Sequence, residues 1–183
     1  MKVKEVKNFL LNPGWGKNLL FVKITTDNGL VGWGECYTQS DRDKTIVTHL
    51  EHMSKYLKGR DPFEIKYFNQ IIFDDYASRR GSMEIFSALS GIEQALWDIC
   101  GKETKQPVYN LLGGPTRGKL RVYANGWYAG ALIPEDYAEK AKKTIDKGFT
   151  ALKFDPIPGP FRSIISKNNL DQSIETVRQV REA

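Results

Sequence analysis

Two opposite charges stand two positions apart in 151-ALKFDPIPGP-160, a segment otherwise apolar enough to be a strand. Successive strand side chains point to opposite faces, so Ala151, Lys153 and Asp155 share one face, and Leu152 and Phe154 take the other. Burying a lone charge is costly, so a lysine at such a place needs a partner. That partner is Asp155, an anionic ligand, or simply water around an ion pair on an edge strand. The other residues capable of chemistry are scattered. Cys36 and Cys100 lie far apart without metal-ligand spacing and read as reduced thiols, Cys100 on a helical core face. His49 and His52, the only histidines, fall in a polar helical stretch and do not read as a zinc site.

The elements that must position these residues change character along the chain. Segments 3-VKEVKNFLL-11, 19-LLFVKITT-26 and 30-LVGWGECY-37 are rich in strand-forming residues, and Asp27-Asn28-Gly29 is a hairpin signal. The connection 12-NPGWGKN-18 reads as a glycine-rich loop. Helical spacing follows at Ile46, Leu50, Met53 and Leu57, with Ser40 or Asp41 as cap and Gly59 as stop. A second helix is predicted from Asp61-Pro62 through Phe63, Tyr67, Ile71 and Ile72. The strongest helix pattern is 83-MEIFSALSGIEQALWDICGK-102, in which Ser90-Gly91 permit close packing, and a short helix 107-PVYNLLGG-114 ends on two glycines. Beyond Pro115, strand 120–127, helix 134–148, strand 149–155 and an amphipathic segment with Leu170, Ile174, Val177 and Val180 alternate. That order signals parallel strands with crossover helices. No glycine-rich dinucleotide fingerprint follows the first of these strands. Two such units do not close a barrel, so the chain reads as an N-terminal part of something larger.

Composition narrows the functional classes. The 183 residues carry a net charge of +5, but the basic residues are dispersed and form no nucleic-acid-binding block. There is no apolar run long enough to span a membrane. The segment 1-MKVKEVKNFLLNP-13 lacks the apolar core of a signal peptide, so the expected compartment is the cytoplasm.

The order of elements, together with 29-GLVGWGE-35, 88-ALSGIEQALWDICGK-102, 107-PVYNLLGG-114 and 151-ALKFDP-156, resembles the mandelate racemase/muconate lactonising branch of the enolase superfamily. The pairing of 122-VYANGWY-128 with 149-FTALKFDP-156 is most similar to the gluconate/galactonate dehydratases within it. The resemblance implies an α+β capping domain, a three-stranded antiparallel meander plus helical subdomain, over residues 1–115. Residues 116–183 would then be the first two βα units of a (β/α)7β barrel. It also implies Mg2+ held by three carboxylates on later strands, beyond Ala183. A small sugar-acid substrate and a homo-oligomer are implied as well, with no nucleic-acid or membrane partner.

Under that resemblance Lys153 and Asp155 face the barrel mouth as catalytic residues. The racemases of the family place a second lysine, a proton-abstracting base, where this chain has Asp155. K-x-D argues against that base; it fits Lys153 stabilising a carboxylate or enediolate and Asp155 accepting hydrogen bonds from sugar hydroxyls. Asn125 and Trp127 end the first barrel strand and one or both line the mouth, unless Trp127 packs instead. The loop 13-PGWGK-17 resembles a flap with Trp15 as its apolar lid, or is an ordinary turn. Tyr37 matches a second capping loop. Arg79, with Arg80, either attracts a sugar-acid carboxylate or is merely solvated. The implied activity is aldonate dehydration to a 2-keto-3-deoxy acid by the whole protein. The alternatives are a racemase, epimerase or cycloisomerase of the same superfamily, or a non-catalytic remnant.

Overall fold

In the computed structural model the described residues are 1–14, 16–38, 40–157 and 165–183, and they form two compact units, Met1–Thr116 and Arg117–Ala183. Trp15, Pro158 and Pro160 lie outside the described residues. Among the described residues no helix is long and apolar enough to cross a membrane.

The first unit begins with an antiparallel meander, β1 (Val3–Leu11), β2 (Leu19–Thr26) and β3 (Val31–Cys36), in the order β1-β2-β3. The register places Asn8 opposite Val22 and Val22 opposite Gly34. The β2–β3 hairpin closes through Asp27-Asn28-Gly29, where Gly29 has φ +86° and the Thr26 N–H donates to the Leu30 carbonyl at 2.9 Å. Alternation puts Leu20, Val22 and Ile24 on one face, all fully buried. Against them pack Ile46, Leu50, Met53 and Leu57 of α1 (Asp43–Leu57) and Ile92, Leu96 and Ile99 of α3 (Met83–Thr104). A 3-10 turn, Ser40–Arg42, precedes α1, which has no side-chain cap; α3 has the Ser82 hydroxyl, which accepts from the Ile85 N–H.

The second predicted helix starts later than its proline suggests. The Asp61 carboxylate accepts from the Phe63 N–H at 3.0 Å, and the Asp61 carbonyl accepts from the Glu64 N–H at 3.1 Å. This local turn competes with helix formation, so α2 runs only over Ile65–Ile71. It then widens into a π-helical turn, Ile72–Tyr76, and the following Ser78 and Arg79 adopt left-handed backbone at φ +48° and +61°. The short α4 spans Val108–Leu111.

The contact between β3 and α3 explains why 29-GLVGWGE-35 and the 88–102 segment belong together. A Cβ on Gly32 would run into the Ala95 carbonyl, one on Gly34 into the Gly91 carbonyl, and one on Gly91 into the Cys36 sulfur. Helix and strand therefore meet backbone to backbone. At that distance α3 also seals the open edge of β3. The Asp98 carboxylate accepts from the Trp33 N–H at 2.9 Å, and Gln94 accepts from the Glu35 N–H and donates to the Glu35 carbonyl, both at 3.1 Å. Lys102 donates to the Val31 carbonyl and to Asp98, each at 2.7 Å. Positions 94, 98 and 102 share one helix face, so three side chains replace the hydrogen bonds of a fourth strand. Asp98→Ala leaves the Trp33 N–H without its partner and should lower the unfolding free energy by about 1–2 kcal/mol, measured by urea denaturation.

The second unit is sparser. The two strands expected at 120–127 and 149–155 meet in a single parallel bridge, Ala124 with Leu152. Two bonds make it: the Ala124 N–H donates to the Ala151 carbonyl and the Lys153 N–H to the Ala124 carbonyl, both at 2.9 Å. Helix α5 (Pro134–Ile145) opens with proline at its first turn, and Asp136 accepts from the N–H groups of Leu132 and Ile133. These backbone donors hold the Asp136 carboxyl below its ordinary value.

Helix α6 (Lys167–Glu182) covers the amphipathic segment at 170–180. Its buried residues are Ser173 and Thr176, whereas Leu170, Ile174 and Val177 are exposed. Small side chains let α6 approach α5, where Ala141 and Thr144 are buried, and each hydroxyl is satisfied by the carbonyl four residues back. The apolar stripe instead borders an open groove of about 490 Å³ that Leu152, Phe154, Val177 and Val180 help to line.

Candidate active site

The strand end at 151–155 is built by the parallel bridge just described. Lys153 and Asp155 are exposed while Leu152 and Phe154 are half-buried, so the two charges share the open face. Among the described residues the Lys153 ammonium is in no ion pair, with Asp155 or any other carboxylate. The Asp155 carboxylate accepts from the Ile157 N–H at 3.2 Å, which turns the chain as it leaves the strand. The paired residues of a parallel bridge point the same way. Asn125, one position after Ala124, therefore falls on the Lys153 face, and its side-chain oxygen accepts from the Gly126 N–H at 3.0 Å.

Trp127 does not follow Asn125. Gly126 takes φ +71°, a left-handed conformation that breaks strand alternation and swings the next side chain across. The Trp127 ring packs edge-on against Phe154, Tyr128 and Tyr137 at centroid distances of 5.4, 5.6 and 6.4 Å. Its indole N–H donates to the Lys153 carbonyl at 3.0 Å. Trp127 thus holds the backbone of Lys153 from the helix side. Sequence reasoning did not find this aromatic cluster; its signal was the coincidence of Trp127, Tyr128, Tyr137 and Phe154 around one strand end. Asn125 and Trp127 also line an open cleft of about 500 Å³ with Lys140 and Lys143 of α5, which neither Lys153 nor Asp155 lines.

In the first unit the loop residues near Tyr37 are tied together. The Lys17 ammonium donates to the Tyr37 hydroxyl at 2.8 Å and lies 4.5 Å from the ring centroid. Thr38 donates to the Asn18 carbonyl, and Asn18 donates to Asp43 at 2.8 Å. Lys17, which the sequence reading passed over, therefore links the 12–18 loop to the chain after β3. Gly14 and Gly16 have φ +82° and +64°, and Trp15 between them lies outside the described residues. Arg79 is exposed and 3.4 Å from Asp74, a loose pairing at the surface.

The thiols are inert. Burial pushes Cys36 up to about 12 and Cys100 up to about 11, so neither is a nucleophile at neutral pH. His49 sits in a half-buried cluster, its Nδ1 2.6 Å from the Tyr76 hydroxyl and its ring edge-on to Tyr76. Burial lowers its pKa, nearby His52 lowers it further, and Glu84 opposes both. The folded state thus binds a proton less readily than the unfolded one, so this histidine costs stability as pH falls through and below about 6.5. Unfolding free energy should therefore rise from pH 5 to 7, and His49→Leu should flatten that rise. Among the described residues no three His, Cys, Asp or Glu side chains converge as a metal site.

With this geometry in hand, comparison with known proteins gives a consistent picture. The profile of the mandelate racemase/muconate lactonizing enzyme family, N-terminal domain, matches residues 16–113. D-gluconate dehydratase of Thermoproteus tenax is 37% identical over 99% of this chain and 37% of its own length. D-gluconate/D-galactonate dehydratase of Picrophilus torridus is 38% identical over 91% of this chain and 42% of its own. Both curated relatives are named dehydratases, and the chain spans well under half of their length. A solved mandelate racemase/muconate lactonizing enzyme from a Sulfitobacter species matches with a TM-score of 0.86 and 31% identity, over all of this chain and 50% of that one. The family match over residues 16–113, with the meander and helices it covers, shows that this chain belongs to the mandelate racemase/muconate lactonizing enzyme family.

Proposed function

We propose that this chain supplies the capping domain, residues 1–115, and the first two βα units, residues 116–183, of a cytoplasmic acid-sugar dehydratase. The reaction removes the proton on C2 of an aldonate, forms an enediolate, breaks the C3–O bond to release water, and yields a 2-keto-3-deoxy acid after the enol takes a proton at C3. The observation that carries this reading is the bridge-fixed strand end, where Lys153, Asp155 and Asn125 share an open face while Trp127 grips the Lys153 carbonyl from behind. An ammonium carried there and, among the described residues, free of any carboxylate is suited to bind the substrate carboxylate and the charge that grows on it as the proton leaves. Asp155 and Asn125 are suited to receive and orient hydroxyls. Trp15, Tyr37 and Arg79 remain substrate-binding residues in this proposal, and Lys17 joins them through its bond to Tyr37.

Magnesium is proposed for the whole protein only. The described residues do not converge on a metal, so no step above passes through one. The base that takes the C2 proton and the acid that assists departure of the C3 hydroxyl are likewise assigned to later strands.

The test is a chimaera in which residues 1–183 replace the matching part of the Picrophilus torridus enzyme. With magnesium present it should convert D-gluconate or D-galactonate to a 2-keto-3-deoxy acid, while residues 1–183 alone form none. A folded chimaera that dehydrates no aldonate would overturn the proposal.

A further inference from the structure

Asparagine followed by glycine occurs twice in the chain, at Asn28-Gly29 and Asn125-Gly126. The pair is chemically labile because glycine has no side chain to shield its own backbone nitrogen from the preceding side-chain amide. Both asparagines are exposed, so exposure does not distinguish them. Their hydrogen bonds do. In the β2–β3 hairpin the Gly29 N–H donates to the Thr26 carbonyl at 3.1 Å. The Asn28 side-chain oxygen accepts from the Thr26 hydroxyl and, at 3.4 Å, from the Leu30 N–H. Nitrogen and amide are each committed to the turn. At the strand end the Gly126 N–H has no backbone acceptor among the described residues. It donates instead to the Asn125 side-chain oxygen at 3.0 Å.

We propose that Asn125-Gly126 is a site of spontaneous self-modification that ages the candidate active site. The Asn125 side-chain carbon is bonded to the very oxygen that already holds the Gly126 nitrogen, so a small rotation of an exposed side chain brings nitrogen and carbon together. The nitrogen gives its proton to water and bonds to that carbon. The carbon–nitrogen bond of the amide then breaks, and the amide group leaves as ammonia with a proton from water. A succinimide ring remains, and water adds to either of its carbonyl carbons to open it as aspartate or isoaspartate. The net change consumes a water and releases an ammonia, with nothing oxidised or reduced. At Gly29 the same attack first requires the hairpin bond to open. The consequence for the site rests on the dehydratase reading above. Asn125 shares the open face of Lys153 and Asp155, so its conversion replaces a neutral amide there with a second carboxylate. That charge opposes the approach of a sugar-acid carboxylate and competes for the Lys153 ammonium. Isoaspartate also inserts an extra backbone carbon between Ala124, which makes the bridge, and Trp127, which holds the Lys153 carbonyl.

The test ages the folded chain at mildly alkaline pH in heavy-oxygen water, then digests it with trypsin in ordinary water for mass spectrometry. Cleavage after Lys23 and Arg42, and after Arg121 and Lys140, puts the two asparagines on separate peptides, 24–42 and 122–140. Heavy oxygen marks only the acid formed during ageing. Peptide 122–140 should gain it about 10-fold faster than 24–42, because one hydrogen bond must open before Gly29 can attack. In a urea-unfolded sample the two rates should converge, since the dipeptide is the same. Equal rates in the folded chain, faster conversion at Asn28, or a preference that survives unfolding would each overturn the inference. In the chimaera, Asn125→Asp should lower kcat/KM for D-gluconate about 10-fold, and an unchanged kcat/KM would overturn the consequence for the site. A chimaera inactive before ageing would instead overturn the dehydratase reading, and the peptide rates would stand apart from it.

Discussion

Lys153→Ala in the dehydratase chimaera is expected to lower kcat by about 100-fold or more while changing the unfolding free energy by no more than about 0.5 kcal/mol. The two effects separate because of where the side chain sits. Lys153 is exposed and in no ion pair among the described residues, so removing it leaves no buried group unsatisfied and opens no cavity. Its backbone is held by other means: the N–H by the Ala124 carbonyl and the carbonyl by the Trp127 indole, both of which survive the substitution. In the proposed site, what is lost is a positive charge placed where an enediolate would gather negative charge. Lys153→Arg, which keeps the charge but moves it, should recover only part of the rate, since the planar guanidinium does not overlay the ammonium. Steady-state kinetics and thermal melts on the same preparations decide between a reacting-site lysine and a surface one. Equal loss of turnover and stability would mean that the lysine is structural.

The second large effect concerns the fold alone. Gly34→Val should destabilise the first unit by roughly 4 kcal/mol or more, enough to leave much of the protein unfolded or insoluble. A Cβ at Gly34 meets the Gly91 carbonyl and the Ala95 nitrogen, both backbone, so no side chain can rotate away. Relief requires α3 to lift from β3. That movement would open the contacts of Ile92, Leu96 and Ile99 with the sheet and break the hydrogen bonds of Gln94 and Asp98 to the β3 edge. Gly118→Ala is the comparator: the added methyl meets nothing within 4 Å, and its effect on urea denaturation should be negligible.

These two residues also show what was legible in the chain. The meander, the α1 and α3 helices and the family resemblance followed from apolar spacing, the Asp-Asn-Gly turn and the 88–102 segment. The reason for that segment was not legible, because Gly32, Gly34, Gln94 and Asp98 act through a contact between elements whose bonded residues lie 59 and 65 positions apart. Alternation correctly set Lys153 and Asp155 apart from Leu152 and Phe154, since period 2 is a local property. At Trp127, where lining the mouth and packing were both open, one glycine at positive φ ends the alternation and the ring packs against Phe154, Tyr128 and Tyr137. The start of α2 was misplaced because an Asp61 turn outcompeted the proline signal. Which face of α6 is buried was not legible, because apolar spacing shows which residues want a partner, not whether the helix packs through small polar side chains.

Incubating the chimaera with D-gluconate in deuterium oxide, and following the reaction by proton NMR, tests the dehydratase reading most directly. A C2 proton lost, a C3 hydroxyl expelled and an enol quenched by solvent predict a 2-keto-3-deoxy acid carrying one deuterium at C3. Recovered aldonate with deuterium at C2 and no keto acid would contradict the account and assign the site to racemisation.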